Sequence, residues 1–168
     1  MEPKDLQLAS RETRRRRGSS LDGRVEGLCG RERVEHGARH PPLWRFQLQG
    51  RGTLVKTTGD GILSWFDGPA RAIRCAIELR NELGAGRRRR RAGLHSGEIE
   101  RRGDDIAGIG VHIAARVEAK AEPGEVVVSR TVNDLVAGSR IGFADRGVYH
   151  LKGVDDDWQL LAVTTIPD

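Results

Sequence analysis

Residues 53–66 read TLVKTTGDGILSWF. Two runs rich in β-branched and aromatic residues flank Gly59-Asp60-Gly61, which is the signature of a strand, a tight turn and a second strand. Asp67 stands where a helix N-cap acts, with Pro69 in the first turn. The following PARAIRCAIELRNEL places Ile73, Ala76, Ile77 and Leu83 near one helical face and stops at Gly84 and Gly86. RAGLHSGEIE reads as a strand. IAGIGVHIAARVEAKA reads as a helix packed through small residues and stopped by Pro123-Gly124. EVVVS reads as a short buried strand, and TVNDLVAG as a short helix in which Thr131 and Asp134 have capping-box spacing. IGFADRGVYHLKG and WQLLAVTTI read as closing strands. From Thr53 the order is β-β-α-β-α-β-α-β-β, an α/β sandwich built on one main sheet.

Upstream the texture changes. Residues 1–50 carry 11 basic and 7 acidic side chains, against 18 and 17 in residues 51–168, so most of the net charge of +5 sits in the first third. That segment has isolated apolar residues, arginine runs and Pro41-Pro42, and no helical or strand period. It is expected to be a basic, poorly ordered segment, with 51–168 as the folded domain. The five arginines 87–91 are expected to form a solvated strand edge. Two cysteines, Cys29 and Cys75, make neither a disulfide framework nor a CxxC metal site and suit a reducing cytoplasm. No apolar run is long enough for a membrane span. Aromatic residues are 4% of the chain, too few for a sheet that stacks RNA bases, so no nucleic-acid partner is expected.

Four stretches occur in order: VKTTGDGILSWFDGPARAIRCA, RAGLHSGEIERRGDDIAGIGVHIAARV, PGEVVVSRTVNDLVAG and FADRGVYHLKG. Together they resemble the class III adenylate and guanylate cyclase catalytic domain over about residues 51–164, in its compact bacterial branch. The resemblance implies a ferredoxin-like βααββαβ-type domain, here with the N-terminal strand and helices missing or degenerate. It implies conversion of ATP to cyclic AMP and pyrophosphate, with Mg2+ or Mn2+ as cofactor and a head-to-tail homodimer as the working unit.

The same resemblance assigns residues. Asp60, between two glycines at the hairpin tip, resembles one of two metal-bridging aspartates, as hard cations require. Lys56 and Asp105 resemble the pair that reads the base. An ammonium donates to an adenine ring nitrogen and a carboxylate accepts from its amino group, whereas guanine presents the reverse edge. Arg116 resembles the arginine that stabilises charge on the phosphates. His112 stands where many members have an asparagine that orients the ribose, and Lys152 resembles a lysine on the terminal phosphates. His95 and Cys75 are read as packing residues.

One family feature is absent from the text. A first strand ending in a pattern such as FTDIVGST, which supplies the other aspartate and the triphosphate loop, belongs near residues 10–25. SRETRRRRGSSLDGRV stands there, with Asp22 its one aspartate. The chain is therefore read as an adenylate cyclase-like domain with impaired activity of its own. The alternative is a non-catalytic cyclase-like module that dimerises or binds nucleotide.

Overall fold

β3 (Gly52–Thr57) and β4 (Ile62–Phe66) pair antiparallel, with Thr53 opposite Trp65 and Thr57 opposite Ile62. This is the hairpin expected from TLVKTTGDGILSWF. The computed structural model describes residues 6–9, 26–29, 52–57, 61–83, 90–102 and 105–167. The remaining elements are β1 (Leu6–Ala9), β2 (Glu26–Cys29), α1 (Pro69–Leu83), β5 (Ala92–Ser96), β6 (Glu100–Arg102), β7 (Asp105–Ala107), α2 (Ile109–Glu118), β8 (Val126–Ser129), α3 (Arg130–Leu135), β9 (Gly142–His150) and β10 (Asp157–Thr165).

One sheet organises the domain. β5 and β8 run parallel at its centre, β8 pairs with β10, and β10 pairs with β9. Every residue of β5 and β8 is buried, so neither strand alternates apolar with solvent-facing polar residues. Successive residues of β8 serve opposite faces. Val126 and Val128 join Ile73, Ala76 and Val132 from α1 and α3. Val127 joins Ile113 and Val117 from α2, with Leu151 and Leu160. The sheet is thus covered by α1 and α3 on one face and by α2 on the other.

α1 forms where the period predicts. Its buried side chains include Ala72, Ile73, Cys75, Ala76, Ile77 and Leu79, while Arg71 and Glu78 face solvent. Burying each larger aliphatic contributes about 1.5–3 kcal/mol. Asp67 forms an ion pair with Arg71 one turn along.

The lane between β4 and β5 departs from expectation. β4 uses its other side for β3, and β5 uses its other side for β8. Both β1 and β2 are registered to the lane that remains, antiparallel to β4 and β5. Leu8 and Gly27 each stand opposite Ser64 and Leu94. Neighbouring strands stand about 4.8 Å apart, and both segments carry a register to the same two neighbours. The basic segment thus holds two short stretches able to pair in the sheet, which its lack of a period did not suggest.

Three local readings are corrected. α2 starts at Ile109, because Ile106 and Ala107 belong to β7, which pairs with β6 in a separate two-stranded ribbon. α3 starts at Arg130 with Ser129 as its N-cap and no side-chain capping bond. Thr131 therefore lies inside the helix, and Asp134 instead pairs with Arg130 at 2.7 Å. Finally, the described end of the arginine run is not solvated. Arg90 is buried, and Arg91 donates from Nε to Glu118 Oε1 at 2.8 Å.

Glu118 is 2% exposed at its side chain, and Arg91 is a cation that meets it. Removing one partner of such a pair weakens the shelter of the buried charge. Arg91→Ala is expected to cost about 3 kcal/mol, with Arg91→Ala/Glu118→Gln recovering much of it; urea denaturation of the single and double variants measures both.

The outer strand β9 is interrupted. Leu160 faces Gly147 but Leu161 faces Asp145, leaving Arg146 as an extra residue in a bulge. Gly147 takes φ +89°, and its amide donates to Asp145 Oδ1 at 2.9 Å. Arg146 folds onto Glu122 and Glu125 at 3.2 and 3.0 Å.

Candidate active site

The residues singled out in the sequence fall into two groups around α2. The first lies at its N-terminal end. Ile106 of β7 is buried with Leu63, Ile99 and Ala114, and Val55 of β3 packs on the same cluster. Asp105 and Lys56 are the neighbours of Ile106 and Val55 in sequence, so two short strands in contact carry the proposed base-reading pair. A bulge in the β3–β4 ladder falls at Val55, between Leu54 and Lys56, a device that re-aims side chains. Asp105 is exposed, and its Oδ1 accepts the Ile106 amide at 2.8 Å. Lys56 is placed by its backbone in β3; its side chain and Asp60 lie outside the described residues.

The second group lies on α2 itself and on the β9–β10 connection. His112 and Arg116 are four residues apart, hence on one face. His112 is exposed and Arg116 half-buried. Arg116 donates from Nε to the carbonyl oxygen of Lys152 at 2.9 Å. Lys152 is exposed on the β9–β10 connection. Leu151 and Val154 beside it are buried against Ile113 and Val117 of α2, so the connection is anchored to the helix on both sides of the lysine. Two cations expected to meet phosphates are thus held by one local unit. Such a pair can bind a polyanion, with arginine offering a planar fork and lysine a point charge.

Sequence reasoning missed Gly153. Its φ of +78° and its place after Lys152 shape the turn that receives Arg116. The signal was present as a Lys-Gly pair between two strands, a turn pattern. His95 is enclosed in the interior. It is 3% exposed, its Nδ1 lies 2.8 Å from Ser129 Oγ, and Trp158 meets it edge-on at 5.2 Å. Burial pushes its pKa down to about 4. It is a packing histidine, as the sequence suggested.

Among the described residues no group of three or more His, Cys, Asp or Glu side chains could hold a metal ion. The described residues therefore do not by themselves fit a two-metal centre. Among them, too, no helix is long and apolar enough to cross a membrane.

Comparison with known proteins agrees with this architecture. The crystal structure of an adenylate/guanylate cyclase/hydrolase from Silicibacter pomeroyi is 28% identical, with a TM-score of 0.67 over 84% of this chain and 95% of that one. A Rhizobium meliloti protein with a provisional adenylate cyclase name is 34% identical over 114 residues, 62% of this chain and 19% of that protein. A pH-sensitive adenylate cyclase of Mycobacterium tuberculosis is 28% identical over 85% of this chain and 34% of its own length. The chain thus spans about a fifth and about a third of the length of these two curated relatives. No family model matches the sequence.

Proposed function

We propose that the chain, which is similar to class III adenylate/guanylate cyclase domains, is a domain for cyclisation of ATP whose activity in isolation is low. In that reaction the ribose 3′ oxygen bonds to the α-phosphorus, the bond to the β-phosphate oxygen breaks, and pyrophosphate leaves while the hydroxyl proton passes to solvent. The barrier is lowered mainly by positioning and by neutralising phosphate charge. The observation that carries the reading is the unit of Arg116, His112 and Lys152 on α2 and its anchored turn. In this scheme Arg116 and Lys152 hold the phosphates, and His112 orients the ribose. Lys56 and Asp105 select adenine, and Asp60 is a carboxylate for Mg2+ or Mn2+. A head-to-tail second copy, in the cytoplasm, would complete the site.

Low activity is proposed because the central lane receives LQLA or EGLC, neither with an aspartate. The same observation favours the second reading, a non-catalytic module that binds nucleotide or dimerises. Cyclic AMP formation with manganese, using ATP and GTP in parallel, separates the two. The chain is expected near background. A family-type first strand and helix pair grafted in place of residues 1–49 is expected to restore synthesis from ATP, and Asp60→Ala in the graft to abolish it. Robust synthesis by the parent chain would overturn the impairment. A folded graft that binds ATP but stays silent would leave the second reading standing.

A further inference from the structure

The connection Leu151-Lys152-Gly153-Val154 closes with the Val154 amide donating to the Leu151 carbonyl at 3.0 Å. Gly153 has φ +78°, and Lys152 is not among the residues with positive φ. A four-residue turn with positive φ at its third residue only is a type II turn. Types I and II differ by a rotation of the middle peptide of about 180°. That middle peptide holds the Lys152 carbonyl, the group that accepts Arg116 Nε–H at 2.9 Å. The turn type therefore decides whether the carbonyl faces the arginine or faces away.

We propose that Gly153 is a positioning residue for phosphate binding: by holding a type II turn it aims the Lys152 carbonyl at Arg116 and fixes the guanidinium. The proposal rests on the reading of Arg116 and Lys152 as a polyphosphate site and adds a residue that touches no phosphate. With Nε–H committed to the carbonyl, the terminal amino groups of the fork have no protein partner among the described residues. They form the edge that meets two oxygens of an anion side by side. The turn cannot drift, because Leu151 is fully buried and Val154 nearly so. Nor is Gly153 needed for space: a Cβ there would meet nothing within 4 Å. A larger residue at this exposed position acts only through the backbone, where a β-branched side chain strongly disfavours positive φ.

The test uses the full chain with inorganic pyrophosphate and tripolyphosphate as probes. Without ligand, the Arg116 Nε–H proton is expected to exchange slowly in NMR spectra of the parent. In Gly153→Val it is expected to lose that protection, with pyrophosphate binding about tenfold weaker by calorimetry. Gly153→Asn, which tolerates the left-handed region, is expected to recover both within about twofold. A merely structural role would leave the Nε–H signal unmoved or would change melting without tracking turn preference. Retention of both signal and affinity in Gly153→Val overturns the proposal. Absence of pyrophosphate binding by the parent, with Nε–H still locked and responsive to residue 153, overturns the phosphate reading while leaving the turn's control of Arg116 in place.

Discussion

Gly93→Ala is expected to destabilise the domain by about 3 kcal/mol or more, a loss of some 10 °C in melting temperature. A Cβ at Gly93 would overlap the backbone nitrogen and Cα of Glu118 at the end of α2. Side chains can rotate out of a clash, but a helix backbone cannot. To admit one methyl group, α2 must move off β5 over its last turn. That shift would strain the Arg91–Glu118 ion pair and loosen Val117, which has no exposed surface. It would also displace Arg116 and disturb its bond to the Lys152 carbonyl. Thermal melting followed by circular dichroism checks the first effect; a melting temperature within a degree or two of the parent would show that α2 has slack at this point.

Acid should weaken the fold through His95. Its pKa is lowered from 6.5 to about 4, because burial removes the imidazolium from water. A histidine in the unfolded chain takes its proton near pH 6.5, while the folded one resists until about pH 4. The stabilising neutral state is therefore fully favourable above pH 6.5 and is lost as pH falls from there towards 4. The span corresponds to on the order of 3 kcal/mol. The Ser129 hydroxyl beside Nδ1 and the edge-on Trp158 make room for a neutral ring and supply no carboxylate to welcome a charged one. Replacing His95 by Asn should lower stability at pH 7 yet flatten the dependence between pH 6.5 and 4. Denaturant midpoints across that range, followed by tryptophan fluorescence, provide the measurement. An unchanged slope in the variant would assign the acid sensitivity to other groups.

The hairpin and α1 were legible because their information is local: alternation around Gly59-Asp60-Gly61, then a helical period. The start of α2 was not, since β7 contributes three residues, too few to show a period before the apolar run of the helix. Arg91 was misjudged for a different reason. A run of arginines looks solvated until the acid it meets is known, and Glu118 is 27 residues away. Of the site, the residue types came from the text. The link between Arg116 and Lys152 did not, because its acceptor is a backbone carbonyl, invisible to any reading of side chains. The two short strands offered to one lane were also hidden, since four residues pair there only because β4 and β5 leave an unfilled ladder.

A nine-residue strand at the rim of a sheet would ordinarily invite a second molecule to continue the ladder, the first step towards a fibre. β9 breaks that invitation in its middle. At Arg146-Gly147 the row of hydrogen-bonding groups loses its register and bends, with a charged side chain at the point of the break. An incoming strand could match only short stretches on either side, each too short to hold by itself. The bulge thus serves colloidal life as much as architecture, keeping copies of the domain apart along this rim when the protein is concentrated.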